Sequence, residues 1–146
     1  FLHNLSLYTS AEFVFFSGDR RLAFGTQEFG LIYFSWLPFL LIGLIQSFHK
    51  TSHKYASLWL GLGVLAASLF TAASPFSASL LYLPAAQILV GLGFSHLLIN
   101  FRRYPTWLKL GLILLILFSV YEIANFFHVL TTHYPQRIHE AILTQQ

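Results

Sequence analysis

Four stretches of the sequence are nearly free of charge and long enough to cross a membrane, and they constrain the fold more than any other feature. They cover residues 30–48, 55–71, 78–99 and 107–129. A helix needs roughly 20 residues, at about 1.5 Å each, to cross a hydrocarbon core about 30 Å thick. Charged residues make up 9% of the chain, against about 25% in an ordinary soluble domain. A chain of 146 residues, 56% of them hydrophobic, cannot bury so much apolar surface within itself, so the surplus is expected to face lipid.

The connections between these stretches are short. They read HKTSHK, AASPFS and NFRRYPT in chain order. Because such short connections make neighbouring helices run antiparallel, the sequence predicts an all-α membrane protein with four antiparallel transmembrane helices. In this division, residues 1–29 form an extracytoplasmic interfacial segment, residues 30–129 the four-helix membrane region, and residues 130–146 an extracytoplasmic tail.

Lysine and arginine are distributed unevenly between the two sides of the predicted bundle. An excess of these residues in short loops marks the cytoplasmic side of a membrane protein. Five fall on one side, at Lys50, Lys54, Arg102, Arg103 and Lys109. Three fall on the other, at Arg20, Arg21 and Arg137. We therefore expect a multi-pass protein of the cell membrane whose N-terminal segment and C-terminal tail are both extracytoplasmic.

Several kinds of chemistry are excluded by residue types that the chain lacks. It has no cysteine, which excludes disulfides and thiolate nucleophiles.

The sequence pI is near 9.4, but no basic face with interleaved polar residues accompanies it, so nucleic acid is not a predicted partner. The chain starts at Phe1 with no methionine, which indicates a piece of a longer protein with the rest of the polypeptide upstream.

Proline and glycine residues occur within the apolar stretches. Pro38 and Pro84 each remove a backbone donor, and membrane helices tolerate such prolines with a bend. The sequence therefore predicts kinks at both positions. Small residues allow the backbones of membrane helices to approach closely, which predicts helix contacts at Gly61, Gly63, Gly91 and Gly93.

A polar cluster is predicted within the membrane region. Glu122 is the one acid in an apolar stretch, and Gln87 lies at a comparable depth on the preceding antiparallel helix. Asn125 follows Glu122 by three residues and so shares its helix face. Ionisable residues inside a membrane are costly and are functional candidates for that reason. The cluster fits either a polar cavity open to the outer side or a hydrogen-bonded tie between helices.

A group of charges precedes the first apolar stretch. Asp19, Arg20 and Arg21 lie at the predicted level of the lipid headgroups, with Glu28 a few residues later. Guanidinium groups donate paired hydrogen bonds to phosphoryl oxygens, so the two arginines are candidates to bind a lipid-linked phosphate. The alternative is that they pair with the two acids and contact ordinary headgroups.

The residues around this group resemble a known family. The stretch FVFFSGDRRLAFGTQEFGLIYFSWLPFLLIGL, residues 13–44, is similar to the extracytoplasmic loop and following helix of polytopic glycosyltransferases of superfamily C, in particular bacterial relatives of the protein O-mannosyltransferases and the lipid A aminoarabinose transferase. The shared positions are Phe15, Phe16, Ser17, Gly18, Asp19, Gly25, Thr26, Gly30 and residues 37–40. Residues 74–94 are similar to the next periplasmic turn and helix, and residues 133–135 to the exit of the last span.

The resemblance implies that the chain is the C-terminal membrane part of an enzyme that transfers a sugar from a polyprenyl-phosphate donor at the outer face. Membrane lipids and the polyprenyl-phosphate-linked sugar are the partners it implies. The family's catalytic aspartate lies upstream of this region and no residue here matches it, so no catalytic residue is predicted. No cofactor is identified and no metal site is predicted here; a divalent metal in such an enzyme would be bound by residues outside this chain.

Two other functions fit the same residues. In a transporter or channel element, the polar cluster of Glu122, Asn125 and Gln87 would coordinate an ion or proton, although transporters usually carry more broken helices at the midplane. In a noncatalytic membrane scaffold, the glycine faces would bind partner helices.

Overall fold

A computed structural model describes residues 1–17, 30–49, 53–69, 75–133 and 135. Throughout these residues the regular structure is helical, which confirms the all-α prediction. The α-helices whose bounds lie within these residues are α1 (Leu2–Thr9), α2 (Leu37–His49), α3 (Lys54–Leu69), α4 (Pro75–Ser79), α5 (Leu83–Ile99) and α6 (Thr106–His128). Shorter helical turns lie at Glu12–Ser17, Phe34–Trp36, Phe101–Arg103 and Val129–His133.

One described helix has the length and composition of a membrane span. It is α6 with its C-terminal extension, Thr106–His133, 28 residues long. The other apolar helices, Phe34–His49, Lys54–Leu69 and Leu83–Ile99, are shorter, at 10–17 residues. Only 11% of the apolar window of the long helix is buried, so this helix lies at the surface of the bundle.

Both prolines lie near the start of an α-helix: α5 begins one residue before Pro84, after a turn, and α2 begins one residue before Pro38, directly after the helical turn Phe34–Trp36. Pro38 is the second residue of α2, and Pro84 is the second residue of α5. The N–H groups of a first turn have no partner within the helix, so a proline there loses no hydrogen bond. The predicted helix over residues 78–99 is consequently two helices, α4 and α5, separated by a turn at residues 80–82.

The turn between α4 and α5 is supported by a side chain from another helix. The indole Nε1 of Trp59, on α3, donates a hydrogen bond of 2.9 Å to the carbonyl oxygen of Leu81. Within the turn, the N–H groups of Leu81 and Tyr82 donate to carbonyls of α4. The backbone of this break therefore has partners both from its own segment and from α3.

The helices α2 and α5 run in the same direction. Near their N-terminal ends, Trp36 and Gln87 line one groove. Near their C-terminal ends, the side-chain nitrogen of Gln46 lies 3.2 Å from Nε2 of His96. Since the contacts advance along both helices together, the two are parallel.

The long helix α6 runs opposite to α2. Leu112, in its first half, packs in a cluster with Phe39. Further along, the hydroxyl of Ser119 reaches Ser35, which precedes α2. Contacts that advance along α6 therefore move back along α2, and the alternation expected from the short connections holds for this pair.

Two glycines bring the backbones of α2 and α5 into direct contact. A Cβ atom added at Gly93 would overlap the carbonyl oxygen of Phe39 and lie 2.8 Å from the backbone nitrogen of Gly43. A Cβ added at Gly43 would overlap the carbonyl oxygen of Leu89. No side chain fits between the helices at this crossing.

The four glycines singled out from the sequence divide into two kinds. Gly93 packs on α2, and a Cβ at Gly63 would lie 2.7 Å from the carbonyl oxygen of Leu81. At Gly61 and Gly91, an added Cβ would meet no atom within 4 Å. Close packing therefore explains one glycine of each pair, and the other faces open space.

The N-terminal helix packs against the end of α3. The amide of Asn4 donates to the carbonyl oxygen of Ser68 at 3.3 Å. Tyr8 is buried in an apolar cluster with Phe13 and Ala67. These contacts fix α1 to the end of the bundle at which α3 ends.

Small polar side chains are buried beside aromatic and aliphatic ones, while many large apolar side chains are exposed. Apart from Leu89, the largest side chains that are completely buried belong to Ser35, Ser47, Ser68 and Ser79. Three of these hydroxyls donate to carbonyls of their own helices at 2.6–2.7 Å. Outside, Ile45 is 55% exposed, Phe48 70% and Leu114 66%.

Candidate functional site

Glu122 joins α6 to the start of α2. Its side chain is half-buried, and its Oε2 accepts a hydrogen bond of 3.0 Å from the backbone N–H of Ser35. Ser35 lies in the helical turn that leads into α2 and is 1% exposed. The first N–H groups of a helix have no internal acceptor and carry a partial positive charge. The carboxylate therefore satisfies a donor that would otherwise be buried without a partner.

Ser119 extends this contact by one turn of α6. Its hydroxyl lies 2.8 Å from the hydroxyl of Ser35 and 3.1 Å from the carbonyl oxygen of Leu115. A hydroxyl has one proton, so it donates to one of these oxygens at a time. Because Ser119 and Glu122 are three residues apart, they share a helix face, and both bind the same residue of the facing turn.

Among the described hydrogen bonds, none joins Glu122 to either of the other two members of the predicted polar cluster. Asn125 is half-buried one turn beyond Glu122, and its backbone carbonyl accepts from the N–H of Val129. Gln87 is exposed on α5, where it lines a groove together with Ser119. The described hydrogen-bond partner of Glu122 is Ser35.

Sequence reasoning missed Ser35 because the group that binds Glu122 is a peptide N–H rather than a polar side chain. Pro38 carried the available signal. A proline in the first turn of a helix implies that the preceding residues have free N–H groups. Glu122 is the acid that the sequence places inside an apolar stretch, so it was a candidate acceptor for such a group.

A groove opens beside this contact, between α2, α5 and α6. Its volume is about 590 Å³. We call it the Gln87 groove; its lining residues are Trp36, Phe39, Gln87, Val90, Gly91, Phe94, Ile116, Ser119 and Val120. Apart from an amide, a hydroxyl and an indole N–H, the lining side chains are apolar. The groove is therefore suited to a long apolar group that presents few polar atoms.

The predicted phosphate-binding residues Asp19, Arg20 and Arg21 lie outside the described residues. The described residues on either side of them meet. The N–H of Ile32 donates to the carbonyl oxygen of Val14 at 3.0 Å. The chain therefore leaves and re-enters the described structure at one place.

That place is next to the Glu122 contact. The ring of Phe16 stacks on that of Phe34 with centroids 5.7 Å apart. Phe34 directly precedes Ser35, the partner of Glu122. The described residues that flank the stretch 18–29 therefore lie beside the start of α2.

The described charges are separated between the two ends of the bundle. The cations among these residues are Lys54, Arg102, Arg103 and Lys109. All four lie where α2 and α5 end and where α3 and α6 begin. The described acids, Glu12 and Glu122, lie towards the opposite end. This end-to-end polarity matches the distribution on which the predicted orientation rests.

Among the residues that the structure describes, no group of three or more histidine, cysteine, aspartate or glutamate side chains is placed to hold a metal ion.

In comparisons with protein-family models, curated proteins and solved structures, the chain has no match. What the Glu122 contact and the Gln87 groove do is therefore inferred from their own geometry and from the sequence.

Proposed function

We propose that this chain is the membrane part of an integral membrane glycosyltransferase that uses a polyprenyl-phosphate-linked sugar at the outer face. In this proposal four helical segments cross the bilayer: Phe34–His49, α3, α4 with α5, and α6. The sugar-transfer chemistry rests on the resemblance of residues 13–44, 74–94 and 133–135. Placement in the membrane rests on how the helices pack.

The observation that carries the membrane placement is the distribution of side chains between interior and surface. In water-soluble proteins, large aliphatic residues are the ones most often buried, and serines are mostly exposed. Here Ser47 and Ser68 are fully buried while Phe48 and Leu114 are about two-thirds exposed. Small residues at helix contacts and large apolar residues facing outwards are typical of a bundle whose solvent is lipid.

The length of the shorter helices is compatible with this placement. The 16 residues of α3 span about 24 Å, somewhat less than a hydrocarbon core of about 30 Å. Short spans are accommodated by local thinning of the bilayer and by basic side chains that extend to the interface. Lys54, at the first residue of α3, is placed to do this.

The charge polarity supports the proposed orientation. The end that carries Lys54, Arg102, Arg103 and Lys109 is assigned to the cytoplasm by the excess of basic residues. The Glu122 contact, α1 and the described residues that flank the stretch 18–29 then lie at the extracytoplasmic end. A donor bound there would be open to the outer face.

The Gln87 groove is the proposed site for the apolar chain of the donor. Its volume of about 590 Å³ falls within the roughly 300–1,000 Å³ of small-molecule sites. An isoprenoid chain is apolar and needs few hydrogen bonds, as the lining residues offer. Arg20 and Arg21 are proposed to bind the donor phosphate, with Asp19 orienting them, and the catalytic base would come from the polypeptide upstream.

A substitution that fills the groove tests this proposal. Gly91 lines the groove and an added Cβ would meet nothing within 4 Å, so Gly91→Phe adds a ring inside the groove without a backbone clash. In the full-length enzyme, reconstituted with a polyprenyl-phosphate sugar, we expect a higher KM for the donor. Gly111→Phe is the matched control, because Gly111 has equally open surroundings on α6 and lies outside the groove. Equal KM values for both variants would refute donor binding in the groove.

The phosphate role of the two arginines is tested by removing both. We expect Arg20→Ala with Arg21→Ala to reduce sugar transfer far more than it reduces the yield of folded protein. The control is Arg102→Ala with Arg103→Ala, which removes the same charge at the opposite end. If activity and yield fall in proportion, the arginines stabilise the fold and do not bind the donor.

A further inference from the structure

A second groove lies at the cation-rich end of the bundle, on the outer face of α3. Its volume is about 530 Å³. We call it the Lys54 groove; its lining includes Phe48, Lys54, Tyr55, Leu58, Gly61 and Leu65. Phe48 comes from the end of α2 and the others from α3, so the groove lies where the two helices meet, and it shares no lining residue with the Gln87 groove.

The length of the Lys54 groove matches the depth of one membrane leaflet. Its lining runs along α3 from Lys54 to Leu65, about 16 Å at the rise of an α-helix. One leaflet supplies half of a hydrocarbon core about 30 Å thick. Gly61 lines the groove, and a Cβ added there would meet no atom within 4 Å. An extended acyl chain therefore has room along the helix from the interface to the middle of the bilayer.

The two ends of this groove differ in charge. Lys54 lies at one end of the lining, and the other side chains of the lining are apolar except for those of Tyr55 and Ser57. Arg102, Arg103 and Lys109 lie at the same end of the bundle. Neither described acid, Glu12 or Glu122, is at that end. A ligand with an anionic head and an apolar tail matches the groove at both ends.

We propose that the Lys54 groove binds one anionic phospholipid of the cytoplasmic leaflet, with the phosphate on Lys54 and one acyl chain along α3 over Gly61. This inference rests on the membrane placement in the proposed function and is independent of sugar transfer. The bound lipid would cover the exposed apolar face of α3.

The test measures lipids that stay bound to the purified full chain. The protein is reconstituted into vesicles of phosphatidylcholine with phosphatidylglycerol, extracted in mild detergent, and analysed by native mass spectrometry. We expect one retained phosphatidylglycerol on the wild-type chain. Lys54→Gln should reduce its retention about fivefold, the weight of one lysine at an anionic surface, and Lys54→Arg should restore it. Gly61→Phe fills the groove and should abolish retention.

The control variants are Gly111→Phe and Gly91→Phe, which add the same ring elsewhere and should keep the lipid. Retention that is equal in all variants would overturn the proposal. The proposal is also wrong if Gly61→Phe converts a dimer into a monomer with no change in lipid, because the face would then dock a second helix. Vesicle flotation separates these outcomes from failure of the membrane placement, in which the wild-type chain would not float with the vesicles.

Discussion

The crossing of α2 and α5 allows a prediction in which two neighbouring glycines respond oppositely to the same change. Gly91 and Gly93 lie on the same helix two residues apart, so they point to different sides of it. A Cβ at Gly93 would overlap the carbonyl oxygen of Phe39, whereas a Cβ at Gly91 would meet nothing within 4 Å. We therefore expect Gly93→Ala to destabilise the bundle and Gly91→Ala to leave it unchanged or more stable.

The difference in stability between the two variants follows from one energy term that they share and one that they do not. Replacing glycine by alanine inside a helix favours the helix by about 1 kcal/mol, and this gain is common to both variants. Overpacking a tight contact costs about 1–3 kcal/mol, and it applies to Gly93→Ala alone. The obstructing atoms are backbone atoms of α2, which cannot rotate away as a side chain could. The two variants should therefore differ by about 1–3 kcal/mol in the free energy of unfolding.

The assay is reversible unfolding of the purified chain in mild detergent micelles, with sodium dodecyl sulfate as denaturant and helical circular dichroism as the signal. Gly93→Ala should unfold at a lower fraction of denaturant than Gly91→Ala, with wild type in between or equal to the latter. Gly43→Ala, which changes the facing glycine, should resemble Gly93→Ala. Equal midpoints for the two α5 variants would show that the backbones of α2 and α5 do not touch.

Three further predictions concern polar contacts and topology. Glu122→Ala leaves the buried N–H of Ser35 without an acceptor and should lower the free energy of unfolding by about 1–3 kcal/mol in the same assay. Glu122→Gln keeps an acceptor oxygen and should lower it less. Equal losses of stability in the two variants would contradict the hydrogen bond. Trp59→Phe removes an indole donor and should cost about 0.5–1.5 kcal/mol, a loss that Trp107→Phe, at an exposed position, should not reproduce. Because the chain has no cysteine, Ser6→Cys and Arg103→Cys each give a single thiol. An impermeant maleimide should label the thiol at position 6 in intact cells and the thiol at position 103 only after lysis. The opposite labelling pattern would show that the proposed orientation is reversed.

The helical class could be predicted from the sequence because it follows from uncharged length, which needs no knowledge of contacts. The position of the helix ends was less predictable. Pro84 is compatible both with a kink inside one helix and with the first turn of a new one. Which of these occurs depends on whether the freed carbonyls find other donors. The donor at this break is Trp59, which lies on another helix, so the local sequence could not show it.

The candidate site was predicted in part for a similar reason. Matching depths along antiparallel helices paired Glu122 with Gln87, because both are polar side chains. The described contact is with the backbone of Ser35, and every residue except proline carries such a donor. Among the glycines, spacing alone does not distinguish Gly93, which packs on α2, from Gly91, which lines a groove. That distinction depends on which face of α5 meets α2.

The hydrogen bond from Trp59 to Leu81 also affects how the sequence of such a chain can evolve. Where a loop is exposed to solvent, water molecules complete its backbone hydrogen bonds, and the loop can gain or lose residues without changes elsewhere in the chain. In the proposed membrane placement no water would take that place, so the bend between α4 and α5 would depend on an indole 22 residues earlier in the chain. A mutation that moves the bend therefore requires a second mutation on α3, and the two positions are expected to vary as a pair among descendants of this sequence.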